Sequence, residues 1–277
     1  MVTDDAPTPI APPVDLAAMR GLFDLTGRTA LVAGATGGLG ETIAYALSGA
    51  GAQVAVTGRD PARTEALAAA IEAATGRPAA GFGMEATETG SIRRAVAAAH
   101  RRFGRLDILV NSMGIQIEEP LLDVREESFD KVYSVNLKAA MFLAQAVSRH
   151  QVTDGGDGRR HIHLLSVRSQ LAIRGKGYSA YCATKGALAM LVKQHAMELA
   201  PHGITVNGVA PTFVNTELIR HVYDRPDFRD AILARIPLGR IADPIDVAGA
   251  VLFLASAASN FVTGQVVFVD GGITASQ

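Results

Sequence analysis

Short runs of aliphatic and β-branched residues alternate along this chain with longer stretches whose apolar positions recur every three or four residues. The strand-like runs are Thr29–Ala33, Gln53–Thr57, Ala79–Glu85, Leu106–Asn111, Ile162–Ser166, Ile204–Val209 and Val266–Val269. Helical spacing covers Leu39–Gly49, a segment from Asp60-Pro61 to Gly76-Arg77-Pro78, Ser91–Phe103, Arg125–His150, Tyr178–Ala200 and Asp243–Ala255. Asp60 before Pro61 is an N-cap followed by proline at the first helical position. The strands are continuously apolar rather than alternating, so both faces of their sheet must be covered. This order predicts an α/β architecture: a single-domain doubly wound Rossmann fold over residues 22–277, with a seven-stranded parallel sheet. Asp154-Gly155-Gly156-Asp157-Gly158 reads as a surface loop rather than a domain boundary, and Arg159-Arg160-His161 as a solvated cluster before the fifth strand.

Residues 1–21 are proline-rich at their centre and read as a flexible extension. They carry neither the positive nor the apolar region of a signal peptide. The longest nearly apolar stretch, Val247–Ala258, is too short to span a membrane. With 277 residues, 48% of them apolar, the chain can bury a sizeable core. A formal net charge of −1 and the lack of a long basic run argue against a nucleic-acid partner. One cysteine, Cys182, excludes a disulfide framework and fits a reducing cytoplasm. No nearby histidine is evident to activate that thiol, so Cys182 reads as a small helix residue.

Chemistry enters at the first strand–helix junction, Ala33-Gly34-Ala35-Thr36-Gly37-Gly38-Leu39-Gly40. Gly34, Gly38 and Gly40 permit a tight turn, a close approach to a pyrophosphate and close helix packing. The helix behind them offers free N–H groups to phosphates. The second strand ends Val56-Thr57-Gly58-Arg59, with no acid to bind a ribose 2′-hydroxyl. Arg59 suits a 2′-phosphate, which favours NADP(H), with NAD(H) as the alternative. Tyr181 and Lys185 stand four apart in a helical segment and so share a face. A nearby ammonium favours the phenolate, making Tyr181 a candidate for proton exchange at a carbonyl or alcohol oxygen.

Together these residues resemble the short-chain dehydrogenase/reductase superfamily from about Leu22 to Ala275, and Phe23-Asp24-Leu25-Thr26-Gly27-Arg28, Asn136-Leu137-Lys138 and Ser166-Val167-Arg168 look most like its gluconate 5-dehydrogenase-like branch. The family's T-G-x-x-x-G-x-G is met from position 33, with Ala33 in place of threonine. Its N-N-A-G is here Asn111-Ser112-Met113-Gly114, a departure at two positions. Tyr181 and Lys185 match Y-x-x-x-K, Asn136 matches the helix asparagine, and Pro211-Thr212-Phe213-Val214-Asn215-Thr216 is similar to P-G-x-V-x-T. The family serine usually lies thirteen residues before the tyrosine, where this chain has Arg168. Ser166, at the strand end, is the candidate, and Ser169 the alternative. The resemblance implies a catalytic set of Asn136, Ser166, Tyr181 and Lys185. It implies cofactor contacts from Gly34, Thr36, Gly38, Leu39, Gly40, Arg59, Glu85, Ala86, Asn111, Gly114, Tyr181, Lys185, Pro211, Val214 and Thr216.

In the implied mechanism a hydride passes between nicotinamide and substrate carbon while Tyr181 exchanges the proton. Ser166 bonds the substrate oxygen, Lys185 lowers the tyrosine pKa, and Asn136 holds a water that links the lysine to solvent. The implied substrate is a sugar acid or polyol, with Arg168 and Arg174 as partners for a carboxylate. Reduction of 3-oxoacyl thioesters is the alternative, and a non-catalytic NADP(H) sensor a further one. A substrate flap is implied at about 212–240, carrying Arg220, His221, Tyr223, Arg225 and Phe228. So is a homotetramer built on the two long helices and the last strand. Met190 and Met197 read as core or interface residues. His161 and His163 share one face of a strand, but metal partners at ligand spacing are not evident, so no metal is expected.

Overall fold

The computed structural model describes residues 15, 19, 21–217 and 226–275. The expected extension at 1–21 therefore lies almost wholly outside the described residues. So do Arg220, His221, Tyr223 and Arg225 of the expected flap, together with the side chain of Phe228. Seven parallel strands run in the order β3-β2-β1-β4-β5-β6-β7. They are β1 (Thr29–Ala33), β2 (Gln53–Gly58), β3 (Ala79–Gly83), β4 (Ile108–Asn111), β5 (Arg159–Leu164), β6 (Ile204–Pro211) and β7 (Val266–Val269). The helices are α1 (Gly38–Gly49), α2 (Pro61–Thr75), α3 (Thr89–Phe103), α4 (Glu126–Tyr133), α5 (Ala139–Asp154), α6 (Ser179–Leu199), α7 (Pro226–Leu233) and α8 (Pro244–Ala255). No helix among the described residues is long and apolar enough to cross a membrane.

Period-two geometry divides the core. Ala30 and Val32 face one side of β1, packing with Val54, Ile43 and Leu47 of α1, and Val251 and Leu254 of α8. Leu31 and Ala33 face the other, packing with Ile92 and Val96 of α3 and Leu143 and Val147 of α5. The Asp60 carboxylate caps α2 by accepting from the amides of Ala62 (2.9 Å) and Arg63 (3.4 Å). Gly76, in the left-handed region at φ 68°, ends it.

Two expectations need correction and one is narrowed. The long helix expected over 125–150 is split: α4 and α5 are joined by a π-helical turn at Ser134–Lys138 that holds Asn136. Met190 and Met197, read as core or interface residues, are exposed on α6, which leaves the interface reading. Arg159 and Arg160 are not solvated; both lie buried within β5. Arg159 donates to the carbonyls of Gln151 and Gly156, and Arg160 to the Asn260 side chain and the carbonyl of Arg159. Their long stems cover apolar surface while the guanidinium heads satisfy carbonyls at the end of α5 and beyond it.

Next on β5 come His161 and His163, both fully buried. His161 Nε2 meets Gln151 Oε1 at 2.9 Å, and His163 Nδ1 meets Asn111 Nδ2 at 3.3 Å. His163 also lies 6.5 Å, centroid to centroid, from His195 of α6. Burial holds His161 well below the ordinary histidine pKa and brings His163 down to about 3. Both states are neutral above the unfolded pKa of about 6.5. Below it only the unfolded chain takes up these protons, so stability falls until the folded pKa is reached. The cost is about 2 kcal/mol per fully buried histidine near about pH 5. Melting temperature should decline steadily from about pH 6.5 to 5, and His161→Met should flatten the decline; a level profile in the native chain contradicts this account.

Candidate active site

The carboxyl ends of β1, β2, β4, β5 and β6 lie along one edge of the sheet. The chain leaves β1 toward β2 but returns on its other side as β4, which opens a crevice at that edge. Gly34 turns the chain there at φ 77°, and its amide and that of Ala35 donate to the carbonyl of Thr57. A Cβ on Gly34 would lie 3.0 Å from the Met113 nitrogen, so β1 and the 112–113 turn meet backbone to backbone. A Cβ on Gly40 would run into the Gly34 carbonyl oxygen. Gly37, the N-cap of α1, supplies no side-chain cap, which leaves the first amides of the helix free for an anion. Thr216 packs on Gly38, where a Cβ would meet its methyl at 3.0 Å.

The neighbouring residues divide into those at the crevice and those beneath it. Arg59 is exposed at the end of β2, and its charge helps hold the Glu85 carboxyl below the usual range, behind the larger effect of bonds from Thr87. Arg63 sends Nη2 to the Thr36 carbonyl at 3.2 Å, bringing a second guanidinium to the glycine loop. Sequence reasoning missed Arg63, whose place in the first turn of α2, just after the Asp60 cap, was the available signal. Leu39 and Ala86 are half-buried, and Ala86 packs on the second core. Asn111 is turned inward, its Oδ1 accepting from the Met113 amide at 3.1 Å and its Nδ2 on His163. Pro211 closes β6, and Val214 packs in the core while its backbone bridges Ala242.

On the substrate side, Ser166 lies two residues beyond β5 and caps the short turn Val167–Ser169. Its hydroxyl stands on the Tyr181 phenol side and pulls the pKa of that phenol down. Ser169 instead donates its hydroxyl to the Ser166 carbonyl at 2.8 Å. Lys185, one helical turn after Tyr181, is 3% exposed. Its ammonium donates to the Leu164 carbonyl at 2.8 Å and sits 5.7 Å from the centre of the Tyr181 ring. Asn136 is fully buried: Oδ1 accepts from the Ile115 amide (2.8 Å), and Nδ2 donates to the Ile115 carbonyl (2.9 Å) and Thr184 Oγ1 (3.2 Å). Thr184, also absent from the sequence reading, donates in turn to the Tyr181 carbonyl. Gly114 completes the group, for a Cβ there would lie 3.5 Å from Lys185 Nζ and 3.7 Å from Asn136 Oδ1.

The electrostatics differ from the expectation that Lys185 lowers the tyrosine pKa. Burial pushes the Tyr181 phenol above its ordinary value, and the opposing pulls come from the Ser166 hydroxyl and the Arg168 guanidinium. The lysine lies under the ring and spends a donor on Leu164. Burial lowers its own pKa to about 8, so it is mostly charged at neutral pH. Burial also raises the Cys182 thiol, away from nucleophilic use. Arg174 is exposed, and nothing in the described residues draws it to Tyr181. Among the described residues no cluster of metal-ligating side chains occurs.

The sequence profile of the family described as "Enoyl-(Acyl carrier protein) reductase" matches residues 34–274. The chain belongs to the short-chain dehydrogenase/reductase family. Among short-chain dehydrogenase/reductases it is 38% identical to a gluconate 5-dehydrogenase of Gluconobacter oxydans over 255 residues, 92% of this chain and 98% of that protein. It is also 38% identical to an L-xylulose reductase of Mesocricetus auratus over 249 residues, 90% of this chain and 97% of that one. The crystal structure of a gluconate 5-dehydrogenase from Burkholderia cenocepacia, in complex with NADP and tartrate, superposes with a TM-score of 0.88 at 38% identity, covering 93% of this chain and 99% of that one.

The geometry of the glycine loop makes a direct prediction. Gly40→Ala forces α1 away from Gly34, at a cost of roughly 1–3 kcal/mol by analogy with overpacking elsewhere. Thermal melts and titration with NADP+ should show lower stability and weakened binding; native-like values for both would contradict the close approach.

Proposed function

We propose that this protein is a nicotinamide-dependent oxidoreductase that interconverts a carbonyl and a secondary alcohol on a sugar acid or polyol. One observation carries the reading: the buried Lys185 ammonium, held by the Leu164 carbonyl, sits 5.7 Å from the centre of the Tyr181 ring, with Ser166 acting on the same phenol. The crevice residues fit a dinucleotide. The uncapped start of α1 suits the pyrophosphate, and Arg59 with Arg63 suits a 2′-phosphate, which favours NADP(H). The similarity to a solved structure holding NADP supports the same preference.

When bound, the nicotinamide supplies or accepts the hydride. The chain's own residues manage the proton and the oxygen. In reduction Tyr181 protonates the oxygen as negative charge develops on it, and Ser166 donates a hydrogen bond to the same atom. A phenol raised by burial is a protonated donor at neutral pH. Oxidation reverses these roles, with the Ser166 hydroxyl and the Arg168 charge favouring the phenolate. Lys185 contributes a fixed positive charge beneath the ring. Asn136 ties the 114–115 turn to α6 through Ile115 and Thr184, which keeps that charge in place.

A spectrophotometric screen of NADPH and NADH against sugar acids, polyols, simple ketones and oxoacyl thioesters tests the reading. Turnover should be highest with NADPH and a keto-sugar or keto-acid. Tyr181→Phe should lower kcat by about 100-fold or more while NADPH still binds. Preferred use of an oxoacyl thioester would move the protein to the other reductase class.

The same proposal extends to assembly as a homotetramer. Phe129, Tyr133, Met141, Met190 and Met197 are exposed apolar side chains on α4, α5 and α6, a face suited to self-association. Light scattering should then give a mass near four times the 28.9 kDa chain, and a monomer would refute it.

A further inference from the structure

Arg168 is a buried cation with no counter-charge among the described residues. The residue is 6% exposed. Its Nη1 donates to the carbonyls of Leu171 (3.2 Å) and Ala172 (3.0 Å), whereas Nε and Nη2 have no hydrogen-bond partner among the described residues. Nor are those two atoms sealed from solvent. No ion pair among the described residues includes Arg168. Among the described residues, the charged or titratable groups that act on it most are Arg235, Cys182, Tyr178 and Tyr181, none of them a carboxylate. A largely buried guanidinium with two donors still open has the chemistry to take up an anion.

Its position is well fixed. Ser166 Oγ accepts the Arg168 amide at 3.2 Å, so the serine that acts on Tyr181 also roots the arginine. Arg235 comes from the segment that follows α7. Val167 packs with Ile232 and Ile236 in one apolar cluster, which seats the turn after α7 over the 167–169 turn. Arg235 stands between those two isoleucines, exposed and without an ion pair among the described residues. Two guanidinium groups thus lie within electrostatic reach of each other, with no ion-paired acid on either among the described residues, beside the phenol that exchanges the proton.

We infer that Arg168 and Arg235 form a subsite for an anionic end of the substrate, the carboxylate of a sugar acid. The planar fork of Arg168 can present Nε and Nη2 to both carboxylate oxygens, and Arg235 adds charge from the α7 side. This rests on the proposed oxidoreductase reading and chooses within it, in favour of acids over neutral polyols. Arg174, the other arginine considered from sequence, takes no part.

The test compares kcat/KM for a keto-aldonate and a neutral ketose of equal chain length, both with NADPH. It is paired with calorimetric binding of gluconate to the NADP+-loaded protein. The acid-to-neutral ratio should fall about tenfold in Arg235→Ala and about 100-fold in Arg168→Lys, with a matching rise in the gluconate Kd. Arg235→Ala changes an exposed position and keeps the test open should the buried Arg168→Lys fail to fold. An unchanged ratio and an unchanged Kd overturn the subsite and leave Arg168 acting on Tyr181 alone. If the native protein reduces neither sugar, the oxidoreductase reading falls by itself. Gluconate binding that weakens in the variants would then still uphold the subsite, and binding that is absent or unaltered would overturn it.

Discussion

A lysine ammonium held inside the protein governs how the site is put together. Removing such a charge from water is costly unless hydrogen-bond acceptors are already in place. Lys185 meets this with the Leu164 carbonyl, the last of β5, whose lone pairs face the crevice because the strand ends there. Gly114 forms the opposite wall, where a Cβ would stand in ordinary contact with the ammonium at 3.5 Å. The wall must also be held still. Asn136 does so by accepting from and donating to Ile115 while reaching Thr184 on α6. The π-helical turn between α4 and α5 follows from the same demand, since such a turn reorients a side chain that a regular helix would aim elsewhere.

Legibility in the sequence tracked the range of the interactions concerned. The seven strands and the glycine junction could be read because apolar runs and glycine spacing are local signals. The Tyr181–Lys185 pair could be read because four residues always return to the same helix face. Arg159 and Arg160 show the limit. Their charge suggested a loop, yet their partners are carbonyls and an asparagine contributed by other segments, and only packing reveals them. The same holds for Thr184 and for the Leu164 carbonyl. Each matters through a neighbour distant in sequence, and a backbone carbonyl carries no residue-specific signal at all.

The two serines after β5 illustrate how the fold distinguishes residues that spacing alone left open. Ser169 commits its hydroxyl to the Ser166 carbonyl and thereby tightens the turn. Ser166 keeps its hydroxyl toward Tyr181 while accepting from the Arg168 amide. Arg168 takes its buried position within the same turn, through its amide on Ser166 and its guanidinium on the Leu171 and Ala172 carbonyls.

The buried histidines of β5 give the direction of catalysis a meaning for the life of the protein. Oxidation of an alcohol by a nicotinamide cofactor leaves one proton in solution at every turnover, and reduction consumes one. In weakly buffered surroundings the oxidative direction drags the medium toward the acidity at which His161 and His163 favour the unfolded chain. A catalyst run in that direction erodes its own fold as product accumulates, whereas one run reductively drifts toward the pH range where it is safest.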